Sequence, residues 1–134
     1  MFRPFLTAVF AVLPMISAAQ ACGVNADALA MAHQQWRGRY PVASDIDCAA
    51  PAGPAQVLLW EDAAKKGLLW HMAALDDSAY VYAFENATGR ETLPENPPRD
   101  EAFIATRDAC TSTVCLCTAY INHTTDSLGG LSPY

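Results

Sequence analysis

FIATRDACTSTVCLCTAYINHTTDSL, Phe103 to Leu128, is the stretch on which the reading of the fold turns. It sets Cys110, Cys115 and Cys117, three of the five cysteines, within eight residues, between two segments of helical apolar spacing. Phe103, Ile104 and Arg107 lead one helix towards Cys110. Thr111-Ser112-Thr113 reads as a turn. Cys117, Ile121, Thr124 and Leu128 then recur at intervals of 4, 3 and 4, the stripe of a final helix, which Gly129-Gly130 stops.

Working backwards, Thr92 to Pro98 (TLPENPP) is a proline-rich connection. Pro98 is expected in the first turn of the helix that follows, with Asp100 and Glu101 near its positive end. Upstream, a long helical segment is expected from Gln56 to Arg90. Its stripe is Leu68, Met72, Leu75, Ala79 and Tyr82, with Gly67 as a kink or break and Gly89 as the stop. Trp60, Trp70, Tyr80 and Phe84 lie partly off that stripe, so this helix should pack on more than one side. Together with Tyr82 they are expected to be core, with one ring left as a binding anchor. Residues 41–55 form a loop carrying Cys48. Before it, Asn25 can cap a short helix over Ala26–Arg37, with Leu29, Ala32 and Trp36 on one face and Gly38 and Pro41 ending it.

The first 21 residues read as a secretory signal peptide. Arg3 gives the positive start, Phe5 to Ile16 the apolar run, and Ala19 and Ala21 the small residues of an Ala-x-Ala cleavage site. The run is too short to span a membrane. Cleavage after Ala21 would leave Cys22 first, which raises lipid attachment there as an alternative. The 134-residue chain suits one small domain, and without Arg3 it carries 7 Lys+Arg against 14 Asp+Glu, a charge of −7. Such a charge disfavours nucleic acid and favours a basic partner. Localisation is expected to be periplasmic or secreted.

Exported chains of this size are commonly stapled by disulfides, and Cys22, Cys48, Cys110, Cys115 and Cys117 are all candidates. Five is odd, so one thiol must be free, lipidated or bonded to another molecule. Cys110 and Cys115 can bond if the turn brings their Cα atoms within about 7 Å. Cys110, Cys115, Cys117 and His123 would alternatively make a zinc set, but an oxidising compartment favours disulfides. No catalytic constellation is visible. His33, His71 and His123 are far apart, and no nucleophile sits in a recognisable motif. Asp76-Asp77 and Glu61-Asp62 read as solvated pairs pointing to different helix faces. Asn86-Ala87-Thr88 and Asn122-His123-Thr124 fit the glycosylation pattern. No enzyme activity, cofactor or resident metal is expected.

The pattern Phe103-x-x-x-Arg107-Asp108-x-Cys110, followed by Cys115-Leu116 and Tyr120, resembles the signature of the LprI-type lysozyme inhibitor family. His123 stands where that family usually has a basic Arg. Asp45-Ile46-Asp47-Cys48 resembles the Phe-Asp-Cys opening of the same domain, and Leu75-Asp76 with the aromatics after it resembles its long helix. The family's second cysteine has no counterpart between Cys48 and Cys110, while Cys22 and Cys117 are additional. The resemblance therefore leaves Cys48 to bond Cys22 or Cys117, with Cys117 expected to bond Cys48 or nothing. It implies a small exported helical domain and, by association, a protein inhibitor of lysozyme. The expected fold is an all-α, small antiparallel helical domain of three to four helices, stapled by one or two disulfides. Its parts are a signal peptide (1–21), an N-terminal helical extension (22–44), the LprI-like domain (45–128) and a tail (129–134).

Overall fold

A computed structural model describes residues 22–25, 27, 29, 31 and 43–134. Among these the regular elements are four helices: α1 (Pro54–Ala64), α2 (Leu68–Thr88), α3 (Glu101–Asp108) and α4 (Thr113–Ser127), with no strand among the described residues. The all-α fold and two disulfides are those the sequence leads one to expect. The signal peptide, Ala32, Trp36 and the Gly38 and Pro41 stops lie outside the described residues.

Each helix begins and ends for a local reason. Pro54 opens α1, where its missing N–H costs nothing. The segment 56–90 is two helices rather than one kinked helix, because Lys66 turns left-handed (φ 50°) ahead of Gly67. Asp62, expected in solvent, instead reaches over the turn and accepts the Trp70 N–H at 2.8 Å, capping α2 from eight residues upstream. A Cβ on Gly67 would lie 2.2 Å from Asp62 Oδ1, so the glycine leaves the space this carboxylate occupies. At the far end Gly89 (φ 65°) closes α2, donating its N–H to Glu85 O.

Helix α3 starts later than Pro98. Asp100 is its N-cap, accepting the N–H groups of Ala102 and Phe103 at 3.0 and 3.1 Å, and Glu101 occupies the first turn. A carboxylate cap satisfies two amides, which a proline in the first turn does not. Ser112 caps α4 by accepting the Cys115 N–H. Gly129 and Gly130 donate to Asp126 O and Thr125 O, the paired bonds that let two left-handed glycines end a helix. The 109–112 turn folds α3 back antiparallel on α4, bringing Phe103 against Tyr120, ring centroids 5.4 Å apart and edge to face.

The core lies between α2 and α4, with α1 closing one side. Met72, Leu75 and Ala79 of the expected α2 stripe are fully buried, but Tyr82 at its end is 50% exposed. The five aromatics assigned to the core do not fill it either. Trp60 is 43% exposed, and Trp70, Tyr80 and Phe84 are only partly buried. Ala55, Ala73 and Ala79 are small residues buried in it, and among the described residues Tyr120 from α4 supplies the one buried aromatic ring. Asn25 caps as expected, accepting the Asp27 N–H through its side chain and the Leu29 N–H through its carbonyl. Val24 and Leu29 sit in the same core as α1, α2 and α4, so these two residues of the expected N-terminal extension belong to this domain.

The disulfide pairing departs from expectation at one bond. Cys110 bonds Cys115, with Cα atoms 5.5 Å apart. Cys117 bonds Cys22, Cα atoms 5.4 Å apart, and not Cys48. Cys117 faces the interior at 1% exposure, where Cys22 and Val24 also pack. Cys48 instead stands on an exposed turn held by Asp47, which accepts the N–H groups of Ala49 and Ala50. Alkylation of the denatured, unreduced protein should therefore add one label, at Cys48. A second labelled cysteine would contradict this pairing.

Candidate functional site

Two polar networks meet under the loop that joins α2 to α3. The first is centred on Arg107, 2% exposed near the end of α3. Its NH1 and NH2 groups donate to both oxygens of Asp45, a bidentate pair, while Nε donates to Asp108 Oδ1 at 2.9 Å. Asp108 also accepts from Gln56 Nε2 at 2.9 Å, and Gln56 Oε1 accepts the Ala52 N–H. One guanidinium thus ties α3 to α1 and to the 43–53 loop. Burial opposes the charge on Arg107, yet its hydrogen bonds to Asp45 and Asp108 outweigh burial and raise its pKa. Burial likewise pushes Asp45 up, but the bonds and charge of Arg107 win and hold it below the usual carboxylate range.

The second network is centred on His123 of α4. Its Nδ1 lies 2.9 Å from both oxygens of Asp76 on α2, and its Nε2 lies 3.3 Å from Asp100 Oδ2. Phe103 stacks on the ring, centroids 3.8 Å apart and planes 3° from parallel. Thr124 donates to Asp76 Oδ1 at 2.7 Å. Burial alone would lower the His123 pKa, but Asp76 and Asp100 outweigh it and raise it. Burial raises Asp76, against the pull of His123 and Thr124. Next to it, burial pushes Asp77 up to about 7; the Ala43 N–H, donated at 2.7 Å, offsets part of this, and the charges of Asp76 and Asp45 add to it.

Between the networks runs a cleft of about 40 Å³, lined among others by Asp45, Asp76, Asp77, Asp100, Arg107 and His123. It has room for a few waters. Both ring nitrogens of His123 face carboxylates, so neither is free to take a proton from a reacting group. The arrangement works as a strut joining α2, α4 and the start of α3. The metal alternative loses its ligands: the sulfurs of Cys110, Cys115 and Cys117 are in disulfides and His123 is engaged. Among the described residues no group of three or more His, Cys, Asp or Glu is arranged to hold a metal ion.

The five motif positions all make contacts within the domain, Asp108 with its side chain partly exposed. Phe103 lies between Tyr120 and His123, Arg107 and Asp108 form the first network, and Leu116 and Tyr120 are at most 1% exposed. Asp76 and Asp77, expected in solvent, are the clearest correction. Asp76 is 1% exposed, facing α4, while Asp77 faces the backbone of the 43–46 turn. Neighbouring helix positions lie about 100° apart, so both can be covered only where a helix is packed on two sides. Asn86 is exposed, but in the Asn122 triplet Thr124 is buried on Asp76. His33 lies outside the described residues, and His71 is partly buried. The signal for the missed network was Thr124 within an apolar stripe and next to His123, opposite an Asp pair in the middle of an apolar helix. No protein-family profile, curated protein or solved structure matches the chain.

Proposed function

We propose that this chain is an exported helical binding protein of the LprI type, which inhibits lysozyme by occluding the enzyme's substrate cleft. The observation that carries the reading is a contact between distant parts of the resemblance. Arg107, from the Arg-Asp-x-Cys segment, bonds Asp45, which opens the Asp45–Cys48 segment 62 residues earlier. Two stretches that resemble one family at the level of sequence are thereby physical partners in one network.

Three further features support it. Two disulfides suit an oxidising compartment, and among the described residues no helix is long and apolar enough to cross a membrane. The acidic balance, 14 Asp+Glu against 8 Lys+Arg, suits encounter with a basic enzyme. The engaged nitrogens of His123 and the narrow cleft favour action by binding over catalysis. A lipid anchor at Cys22 and the Cys22–Cys117 bond exclude each other, since both need the same sulfur.

The test is clearing of a cell-wall suspension by c-type and g-type lysozymes with the purified protein in stoichiometric excess. Slowed clearing with either enzyme is expected, and unchanged lysis by both would overturn the reading. A second reading, an envelope-associated interaction module without inhibitory activity, is favoured by the fact that all five motif residues serve packing. Retention of another envelope protein in a pull-down, with no lysozyme bound, would select it.

A further inference from the structure

We infer that the element entering the partner's cleft is the apex Leu93-Pro94-Glu95-Asn96 of the loop between α2 and α3, an inference that rests on the inhibitor reading. The apex is a closed turn: the Asn96 N–H donates to Leu93 O at 3.0 Å, with Pro94 at the turn's second position, where its fixed φ fits. All four residues are exposed, and Leu93 presents an apolar side chain at 60% exposure.

Both sides of the loop are fastened to the domain. On the α2 side, the Thr92 N–H and hydroxyl both donate to Glu85 Oε1, at 2.9 and 2.8 Å. On the α3 side, Pro97 and Pro98 are partly buried over the cleft and Arg99 donates to Ser44 O at 3.1 Å. Three prolines and these bonds hold the apex in place before binding, so little conformational entropy is lost when it docks. A groove of about 400 Å³, bordered by Phe84, Leu93, Pro97 and Pro98 and by the charged Arg90 and Glu91, flanks the apex on the domain side.

The other exposed apolar side chains offer different shapes. Among the described residues, Val57 and Trp60 lie on the face of α1, Val114 in the first turn of α4 and Met31 in the N-terminal segment, while Tyr82 and Leu131 border a shallow surface between the C-terminal ends of α2 and α4. A cleft that accommodates an extended polysaccharide needs a projecting occupant, and the apex supplies an apolar knob next to one carboxylate. The partner that fits is a basic protein with a concave substrate cleft, where Leu93 takes an apolar subsite and Glu95 meets a cation on the rim.

The experiment compares wild type with Leu93→Asp, Glu95→Lys and the α1-face variant Trp60→Asp, reading inhibition of the same lysozyme. Leu93→Asp should weaken inhibition about thirty-fold, the loss typical of a central anchor. Glu95→Lys should weaken it about ten-fold, and less as salt rises. Trp60→Asp should stay within about two-fold. Circular dichroism and thermal midpoints verify that each variant is folded. If Leu93→Asp is misfolded, Glu95→Lys decides. Inhibition by the wild type that both apex substitutions leave intact overturns the loop assignment and spares the inhibitor reading. A wild type that inhibits neither lysozyme overturns both.

Discussion

Arg107→Met should destabilise the fold by about 3 kcal/mol, read as a lower midpoint in urea at unchanged slope. Removal of the guanidinium leaves Asp45 and Asp108 facing each other's neighbourhood without their shared cation, and leaves Gln56 bonded to a carboxylate that has lost its counter-charge. The figure sits at the lower end for a buried pair because the carboxylates keep some water: the side chains of Asp45 and Asp108 are 15% and 31% exposed. Arg107→Lys should recover little of the loss. One ammonium cannot reproduce two donors to Asp45 and a third to Asp108 in a fixed plane. A lysine variant as stable as wild type would show that charge alone, and not the fork geometry, holds α3 to α1 and the 43–53 loop.

Stability should also fall as pH rises from about 4 to about 8. Asp77 holds its proton up to about 7 in the fold, against an ordinary 3.8. The folded state therefore binds more protons than the unfolded chain across that window, and each rise in pH disfavours it. His123 acts in the same direction: its pKa is raised, so its contribution is full below the unfolded value and is lost as pH climbs through the folded one. Asp45 and Asp100 act oppositely. Asp45 is lowered by Arg107 against its burial, and Asp100 chiefly by the Phe103 N–H, so their contributions disappear as pH falls below the ordinary carboxylate range. The optimum should lie near pH 4–5. Asp77→Asn should match wild type there and exceed it by roughly 3 kcal/mol at pH 8. Denaturant melts at pH 4.5, 6 and 8 test this, and a wild-type stability that rises towards pH 8 would refute it.

The helices were legible because their signals are local. Asn25, Gly89, Gly129-Gly130 and the Thr111–Thr113 turn act within a few residues of themselves, and the structure uses each of them. What escaped depends on distance along the chain. Asp62 caps a helix eight residues away, Asp76 meets His123 across 47 residues, and Cys22 meets Cys117 across 95. A solvated and a buried aspartate look alike in a string; only the packing of α2 on two sides separates them. The aromatics misled for a related reason. Large rings suggest a core, but among the described residues small and aliphatic side chains fill most of it, with Tyr120 buried and Trp60 and Tyr82 largely exposed. Even Arg107-Asp108, visible as a pattern, disclosed its role only when Asp45 was brought beside it.

The Cys22–Cys117 bond also decides how the molecule answers to mechanical load. Force applied at Cys22 and Tyr134 travels through the sulfur bridge to Cys117 and bypasses the chain between them. Only the 17 residues from Thr118 to Tyr134 can be drawn out, to an extended length of at most about 60 Å. Helices α1, α2 and α3, and with them the loop under Leu93, stay within a slack ring that no tension reaches. A reductant would release that ring, and the same pull would then extend the tether by several hundred ångströms more, roughly 3.5 Å for each residue set free.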